Sequence, residues 1–262
     1  MNFRDFEHAG WEKLPARYHD AFGKLTSQAI GPLLDAVSAG AGKKLLDVAS
    51  GPGYVAGAAA QRGASVTGID FAAAMVAEAS RRYPAVEFRE GDAEELPFPD
   101  ASFEAVTINF GMLHFGRPER ALSEAHRVLR PGGKFAFTVW APPSETRGFG
   151  IVLDAIRMHG NLQADLPAGP PFFRFSEAGE CRRALVEAGF DNPEVKPVPQ
   201  TWRLDSPEAL FEIMLGSTVR TGALLRAQAP AALEAIRAEV TAASRKELPM
   251  PAVLASATRR SA

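Results

Sequence analysis

Residues 45 to 56 read Leu45-Leu46-Asp47-Val48-Ala49-Ser50-Gly51-Pro52-Gly53-Tyr54-Val55-Ala56. A short apolar run enters a turn of small residues and leaves into an alanine-rich segment, which is typical of a buried parallel strand followed by a helix. Gly51 and Gly53 tolerate positive φ and carry no Cβ, so a ligand can lie against the backbone over the free N–H groups at the helix start. The turn predicts a ligand site, although a tight strand-to-helix turn without a ligand fits the same residues.

Composition limits the class of protein. The chain has 262 residues, 46% of them hydrophobic, a net charge of −2 and a single cysteine, Cys181. This length can bury a sizeable core, and the charge provides no basic field for nucleic acid or an anionic membrane. Since no secretory signal, membrane-spanning run or internal disulfide is indicated, we expect a cytoplasmic protein with no nucleic-acid partner and no membrane insertion. The sequence does not indicate an oligomeric state.

Strands and helices alternate after the glycine turn. Short links between parallel strands imply right-handed crossovers, which place all strand ends at one edge of a doubly wound sheet. We predict strands over 44–48, 64–70, 86–89, 104–110 and 134–140, with helices over 54–62, 72–82 and 118–129 between them.

The pattern changes after residue 141. We predict helices over 150–159 and 176–188, a sixth strand over 193–204, two or three helices over 205–247 and an apolar closing strand over 250–257. In this interpretation residues 1–262 form one domain. Its parts are an N-terminal helical cover or lid (1–42), a cofactor-binding half (43–141) and two substrate-covering segments (142–175 and 205–247).

Polar residues lie at or just after the carboxyl ends of three of the predicted strands. Asp70 ends the strand beside the glycine turn, where it would meet the hydroxyls of a ribose, or it could simply cap the next helix. Asp92 can accept a hydrogen bond from an exocyclic amine while the next backbone N–H, that of Ala93, donates to a ring nitrogen. Asn109 faces the same edge. These positions predict a nucleoside site.

Together these residues resemble the class I S-adenosylmethionine-dependent methyltransferases, and among them the small-molecule branch that includes the ubiquinone/menaquinone-biosynthesis C-methyltransferases. The likeness is strong over about residues 40 to 140 and looser over 176 to 204. One departure is Ala49, which occupies the place of the first loop glycine of the family. The motifs that carry the resemblance are Leu45 to Gly53, Gly68-Ile69-Asp70, Gly91-Asp92-Ala93 with Leu96-Pro97-Phe98, and Arg127 to Lys134.

The resemblance implies S-adenosylmethionine as the cofactor and a Rossmann-like, mostly parallel seven-stranded sheet. Its last strand would be antiparallel, lie between the fifth and sixth strands and follow a helical insertion. The resemblance also implies that Asp47 is oriented toward the cofactor ammonium and that Asp70 holds the ribose. The remaining cofactor-binding residues that it implies are Ala49, Gly51 and Gly53 in the loop, Phe71 and Met75 beside the adenine, Asp92 and Ala93 at its polar edge, and Asn109.

Methyl transfer requires alignment and the exclusion of water more than it requires a fixed catalytic side chain. His114 is the best candidate for a general base, although a lone histidine is often structural. No residue spacing indicates a metal site. The candidate substrate residues are Tyr18, Trp140, Phe173 and Phe211, with Arg147 and Arg174 available for a carboxylate or phenolate.

Two other functions fit parts of the sequence. An NAD-dependent oxidoreductase fits because residues 51–56 also satisfy the G-x-G-x-x-G/A pattern, with Asp70 near the expected distance. The Asp92 motif and the helical insertion argue against it. A catalytically silent cofactor-binding or assembly module remains open, because methyl transfer has no obligatory side chain whose absence would reveal it.

Overall fold

A seven-stranded sheet forms the centre of the molecule in the computed structural model, which describes residues 1–14 and 18–260. The spatial order of the strands is β3-β2-β1-β4-β5-β9-β6. A separate two-stranded sheet pairs β7 with β8. The strands are β1 (Lys44–Val48), β2 (Ser65–Asp70), β3 (Glu87–Glu90), β4 (Phe103–Asn109), β5 (Leu129–Trp140), β6 (Phe190–Val198), β7 (Thr201–Arg203), β8 (Glu247–Pro249) and β9 (Ala252–Arg259).

The first five strands are parallel, as their short crossovers predict. β1 lies at the centre between β2 and β4, and its residues from Leu45 onward are buried on both faces. β9 is antiparallel to both of its neighbours, β5 and β6. The predicted doubly wound, Rossmann-like sheet with an antiparallel last strand between the fifth and sixth is confirmed.

Helices cover both the faces and the carboxyl edge of the sheet. A run of short helical turns, from a π-helix at His19–Gly23 to a 3₁₀ turn at Ser27–Ala29, leads into α2. None of the described helices has the length and apolar character that a membrane crossing requires. The helices are α1 (Phe3–Trp11), α2 (Ile30–Ala36), α3 (Tyr54–Gln61), α4 (Ala73–Arg82), α5 (Pro118–Val128), α6 (Arg147–His159), α7 (Ala178–Glu187), α8 (Ala209–Ser217), α9 (Arg220–Arg226) and α10 (Pro230–Ala243).

The predicted sixth strand, 193–204, is wrong in its bounds. The strand of the main sheet spans Phe190–Val198, and residues after Gln200 turn away to form β7. The buried ring of Trp202 explains the departure, since it packs 4.8 Å from the ring of Phe22 and its indole N–H donates to the carbonyl of Ala21. These contacts hold β7 on the N-terminal helical segment instead of on the sheet.

Candidate functional site

A cleft of about 1210 Å³, including the solvent at its mouth, lies over the carboxyl edge of the parallel strands. Its polar wall is formed by the segments that follow β1, β2, β3 and β4, and its apolar wall by the covering helices. The predicted site residues that line it are Tyr18, Asp47, Ala49, Gly51, Asp70, Phe71, Met75, Asp92, Ala93, Asn109, His114 and Trp140.

The loop between β1 and α3 supplies the floor of the cleft. Gly51 has φ of +50°, and a Cβ built on it would have no neighbour within 4 Å, so its backbone faces open space. Gly53 also has positive φ, +84°, but a Cβ there would lie 2.8 Å from the ring of Phe88. Gly53 does not line the cleft, whereas Gly51 does, so Gly51 is the glycine of the two that a ligand in the cleft could approach.

Ala49, which replaces the first loop glycine of the family, has φ of +53°. This conformation is unusual for a residue with a side chain. Its methyl group is accommodated by Gly111, because a Cβ added to Gly111 would lie 2.7 Å from the Cβ of Ala49. The substitution is matched by a glycine after β4, and Ala49 still lines the cleft.

Asp47 is buried beneath the loop. Its Oδ2 accepts a hydrogen bond from the N–H of Ala56 (3.1 Å), and its Oδ1 accepts one from the hydroxyl of Thr107 (3.1 Å). Burial raises the pKa of this carboxyl to about 7, against the opposing effect of those two hydrogen bonds. A cation arriving in the cleft would favour the ionised form.

Asp70 ends β2 and links the glycine loop to the start of α4. Its Oδ2 accepts from the N–H of Gly51 (2.8 Å), and its Oδ1 accepts from the N–H of Ala72 (3.0 Å). Burial raises its pKa to about 6, because desolvation outweighs both hydrogen bonds. The Ala72 bond is a cap-like contact, since Ala72 is the N-cap residue of α4, and the carboxylate also lines the cleft. The cap and the ligand role are therefore compatible.

One end of the cleft is closed by the N-terminal helix. Arg4 of α1 donates from Nε to the Oδ2 of Asp92 (2.9 Å), and the ring of His8 meets the edge of Phe71 at 5.3 Å. Glu12 accepts hydrogen bonds from the N–H groups of Ala73 (2.5 Å) and Ala74 (3.2 Å) at the start of α4. These contacts fasten the N-terminal segment over the predicted adenine side.

The opposite end of the cleft is aromatic. Tyr18 stacks on Phe22, and burial raises the pKa of the Tyr18 phenol to about 12, so it is a neutral hydrogen-bonding group at ordinary pH. Trp140 packs against the ring of Phe110 at 4.1 Å and borders Phe149. This wall makes that end of the cleft apolar.

Two predicted substrate residues do not line the cleft. Phe211 has no exposed surface and its ring lies under the guanidinium of Arg237, because the face of α8 that carries it points into the core. Phe173 packs edge-on against Phe172 and Phe149 and stands behind them. The structure therefore places both residues outside the lining of the cleft, where we had expected them.

The two arginines suggested for anion binding are also elsewhere. Arg147 is exposed at the start of α6, outside the lining of the cleft. Arg174 forms ion pairs with Glu119 and Glu180. Among the described residues, the arginine that lines the cleft is Arg220, at the start of α9.

His114 is held by a residue that the sequence analysis did not identify. Its Nδ1 lies 2.9 Å from the Oε2 of Glu7, which also accepts a hydrogen bond from the indole N–H of Trp11 (3.2 Å). Glu7 is fully buried, and its Oε1 has no hydrogen-bond partner among the described residues. A buried carboxylate behind one imidazole nitrogen orients the ring and supports a positive charge on it.

Glu7 and Arg220 lie far from the motifs in sequence, so only the fold reveals them. Glu7 lies on the same side of α1 as the buried Phe3, and a charged residue at such a position is the sequence feature that could have indicated a functional role. Arg220 follows a helix break at Thr218 and has no such signal. The described residues include no group of three or more metal-ligating side chains.

Comparison with known proteins agrees with this geometry. A methyltransferase domain model matches residues 46–137, from β1 through most of β5. A demethylmenaquinone methyltransferase from Beutenbergia cavernae is 44% identical over 121 residues, covering 44% of this chain and 50% of the relative. The chain spans about half the length of the curated relatives it matches.

Solved structures share the fold at low sequence identity. A phosphoethanolamine N-methyltransferase 2 from Haemonchus contortus, in complex with phosphomonomethylethanolamine and S-adenosylhomocysteine, superposes with a TM-score of 0.61 at 19% identity, covering 99% of this chain and 60% of that one. The [4+2]-cyclase SpnF superposes with a TM-score of 0.56 at 21% identity, covering 90% and 82%. The chain therefore carries a match to a methyltransferase domain over residues 46–137, and it shares its fold with these solved structures.

Proposed function

We propose that this chain transfers a methyl group from S-adenosylmethionine to a small organic acceptor. The observation that carries the proposal is one cleft with two different ends. Carboxylates from three strand ends, Asp47, Asp70 and Asp92, line its polar end, and an aromatic wall with His114 lines the other. A cationic nucleoside and an apolar acceptor fit side by side in such a cleft.

The residues of the polar end fit the cofactor. The open space in front of Gly51 admits a ligand against the backbone, and the Oγ of Ser50, also in the lining, is buried with no described partner. Asp70 would accept hydrogen bonds from the ribose hydroxyls, and Asp47 would face the ammonium group. Phe71 and Met75 would flank the adenine, with Asp92 and Ala93 at its polar edge and Asn109 nearby.

When bound, the sulfonium group of the cofactor supplies an already activated methyl group. The protein then has to bind the acceptor in line, exclude water and manage a proton. Trp140, Phe149 and Phe172 present an apolar surface for the acceptor. His114 takes the proton that an O–H or N–H acceptor must lose, and Glu7 stabilises the imidazolium that results.

The same proposal covers the organisation of the chain. Residues 1–42 form the cover, 43–141 bind the cofactor, and segments 142–175 and 205–247 surround the acceptor within one domain. The contacts of α1 with Asp92 and with the start of α4 support a covering role for the N-terminal segment. Fold alone does not fix the reaction, as the cyclase with the same fold illustrates.

The test is formation of S-adenosylhomocysteine from S-adenosylmethionine in the presence of a fractionated small-metabolite library, followed by mass spectrometry of the acceptor. We expect acceptor-dependent turnover and a product heavier by one methylene unit. Binding of S-adenosylmethionine without turnover across the library would favour the silent binding module. Binding of NAD instead would favour the oxidoreductase.

A further inference from the structure

Arg220 places a positive charge in the apolar half of the cleft. It begins α9 and lines the cleft beside Val219 and Thr221. Its guanidinium carbon lies 5.1 Å from the centre of the Phe3 ring and 5.3 Å from the centre of the Phe172 ring. Those two rings belong to the N-terminal helix and to the segment before α7, so three covering segments meet at this cation.

The hydrogen-bonding capacity of Arg220 is largely unused. A guanidinium has five N–H donors. Among the described residues, one Nη of Arg220 donates to the carbonyl oxygen of Leu113, at a long 3.4 Å. Contacts with aromatic rings stabilise the charge, but they do not provide oxygen acceptors for these N–H groups. Most arginines in the described part of the chain that carry an ion pair are near the surface, whereas Arg220 is half-buried in the cleft without one.

The buried carboxylate of Glu7 does not use this capacity. Glu7 interacts with Arg220 through the field of its charge, but its recorded hydrogen bonds go to His114 and Trp11. Burial lowers the pKa of Arg220, against the opposing effect of the Glu7 charge. A buried cation of this kind favours an anionic ligand, and a planar guanidinium binds a carboxylate through two parallel hydrogen bonds.

We propose that Arg220 is a specificity-determining residue that binds a carboxylate group of the acceptor, so that the substrate class is a carboxylic acid with an apolar, ring-sized body. The apolar body contacts Phe149, Phe172 and Trp140, which share the cleft with Arg220. Leu113, whose carbonyl touches Arg220, precedes His114 in the chain, so the carboxylate end of the acceptor lies near the proposed base. This inference rests on the proposed function.

The test compares two ligands of the same shape on the protein loaded with S-adenosylhomocysteine. We choose 2-naphthoate and 2-naphthamide, which differ in charge but hardly in size, and measure both affinities by titration calorimetry. We expect the carboxylate to bind about ten- to a hundred-fold more tightly, the gain typical of a charge-assisted pair. The variant Arg220→Met keeps an apolar stem between the two rings, and it should remove the preference.

The control is Arg237→Gln, since Arg237 also stacks on a phenylalanine but lies outside the cleft lining. It should keep the wild-type preference. Equal binding of the two ligands by the wild type, or a preference that survives in Arg220→Met, would overturn the inference. If Arg220→Met does not fold, the same two affinities are measured with Arg220→Gln, which should also lose the preference. Failure of the wild type to bind S-adenosylhomocysteine would instead contradict the proposed function.

Discussion

The Nδ1 of His114 and the Oε2 of Glu7 are 2.9 Å apart, although 107 positions separate the two residues in the sequence. The pair connects the N-terminal helix to the segment after β4. It is sealed from solvent on the Glu7 side, where the carboxylate has no exposed surface. The N-terminal helix that covers one end of the cleft therefore also supplies the partner of the proposed base.

Replacing Glu7 by glutamine should separate this role from a structural one. An amide cannot compensate a positive charge on His114, so we expect turnover of the identified acceptor to fall by roughly a hundred-fold or more, the scale of general-base assistance. Affinity for S-adenosylhomocysteine should stay within a few-fold. Asp5→Asn, an exposed change on the same helix, is the control. Unchanged turnover in both Glu7→Gln and His114→Gln would assign the pair to structure alone.

The two loop glycines should respond differently to alanine. At Gly51 the new methyl group enters open space in the cleft, so Gly51→Ala should weaken cofactor binding at least ten-fold, with a stability cost of about 1–2 kcal/mol from the positive φ. At Gly53 the methyl group would overlap Phe88, which adds about 1–3 kcal/mol of overpacking. Urea unfolding and calorimetry measure the two effects. Equal stability losses in the two variants would contradict this assignment.

Phe211→Ala should act on the fold. The ring is fully buried and forms part of the hydrophobic core, so its removal should lower the free energy of unfolding by about 3–5 kcal/mol. Binding of S-adenosylhomocysteine at low temperature, where the variant is still folded, should be retained. A variant of wild-type stability with a raised KM for the acceptor would return Phe211 to the acceptor wall.

Cofactor affinity should fall as the pH is lowered from about 7.5 to 5.5. Burial raises the pKa values of Asp47 and Asp70 to about 7 and 6, and the ionised carboxylates bind the ammonium and hydroxyl groups of the ligand more strongly than the protonated carboxyls do. Asp70→Asn should bind more weakly and depend less on pH. Calorimetric titrations across this range test the prediction, and a pH-independent wild-type affinity would contradict it.

The raised pKa of Asp70 has the opposite effect on the stability of the ligand-free protein, which should fall as the pH rises. Because the folded state holds the Asp70 proton more tightly than the unfolded chain, the stabilisation by that proton is present below about pH 4 and is lost as the pH rises through about 6. The stability of the wild type relative to Asp70→Asn should therefore decrease from pH 5 to 7.5. Urea unfolding of both proteins without ligand measures this difference.

The sequence predicts the sheet well because its strand-to-helix units are local. Asp47, Asp70 and Asn109 each lie in or at the end of a strand, so their placement at one edge follows from parallel pairing alone. Ala49 was recognisable as a departure from the family pattern. Its match with Gly111, however, depends on how two loops approach each other.

The acceptor side was predicted less well because it is built from segments that have no strand register. Phe211 and Phe173 are aromatic residues in covering segments, but which face of a covering helix turns inward depends on its tertiary packing. Arg220 reaches the cleft, and Glu7 reaches His114 in its lining, only because α9 and α1 pack beside the strand ends. Composition and spacing do not specify such docking.

The central claim is that the cleft binds S-adenosylmethionine through Asp70. The most direct measurement is calorimetric titration of S-adenosylmethionine, S-adenosylhomocysteine and NAD into the wild type and Asp70→Asn at pH 7.5. We predict saturable binding of the first two, none of NAD, and affinity at least ten-fold weaker in the folded variant, the scale of a lost charge-assisted hydrogen bond. Binding of NAD alone, or equal affinities in wild type and variant, would contradict the account.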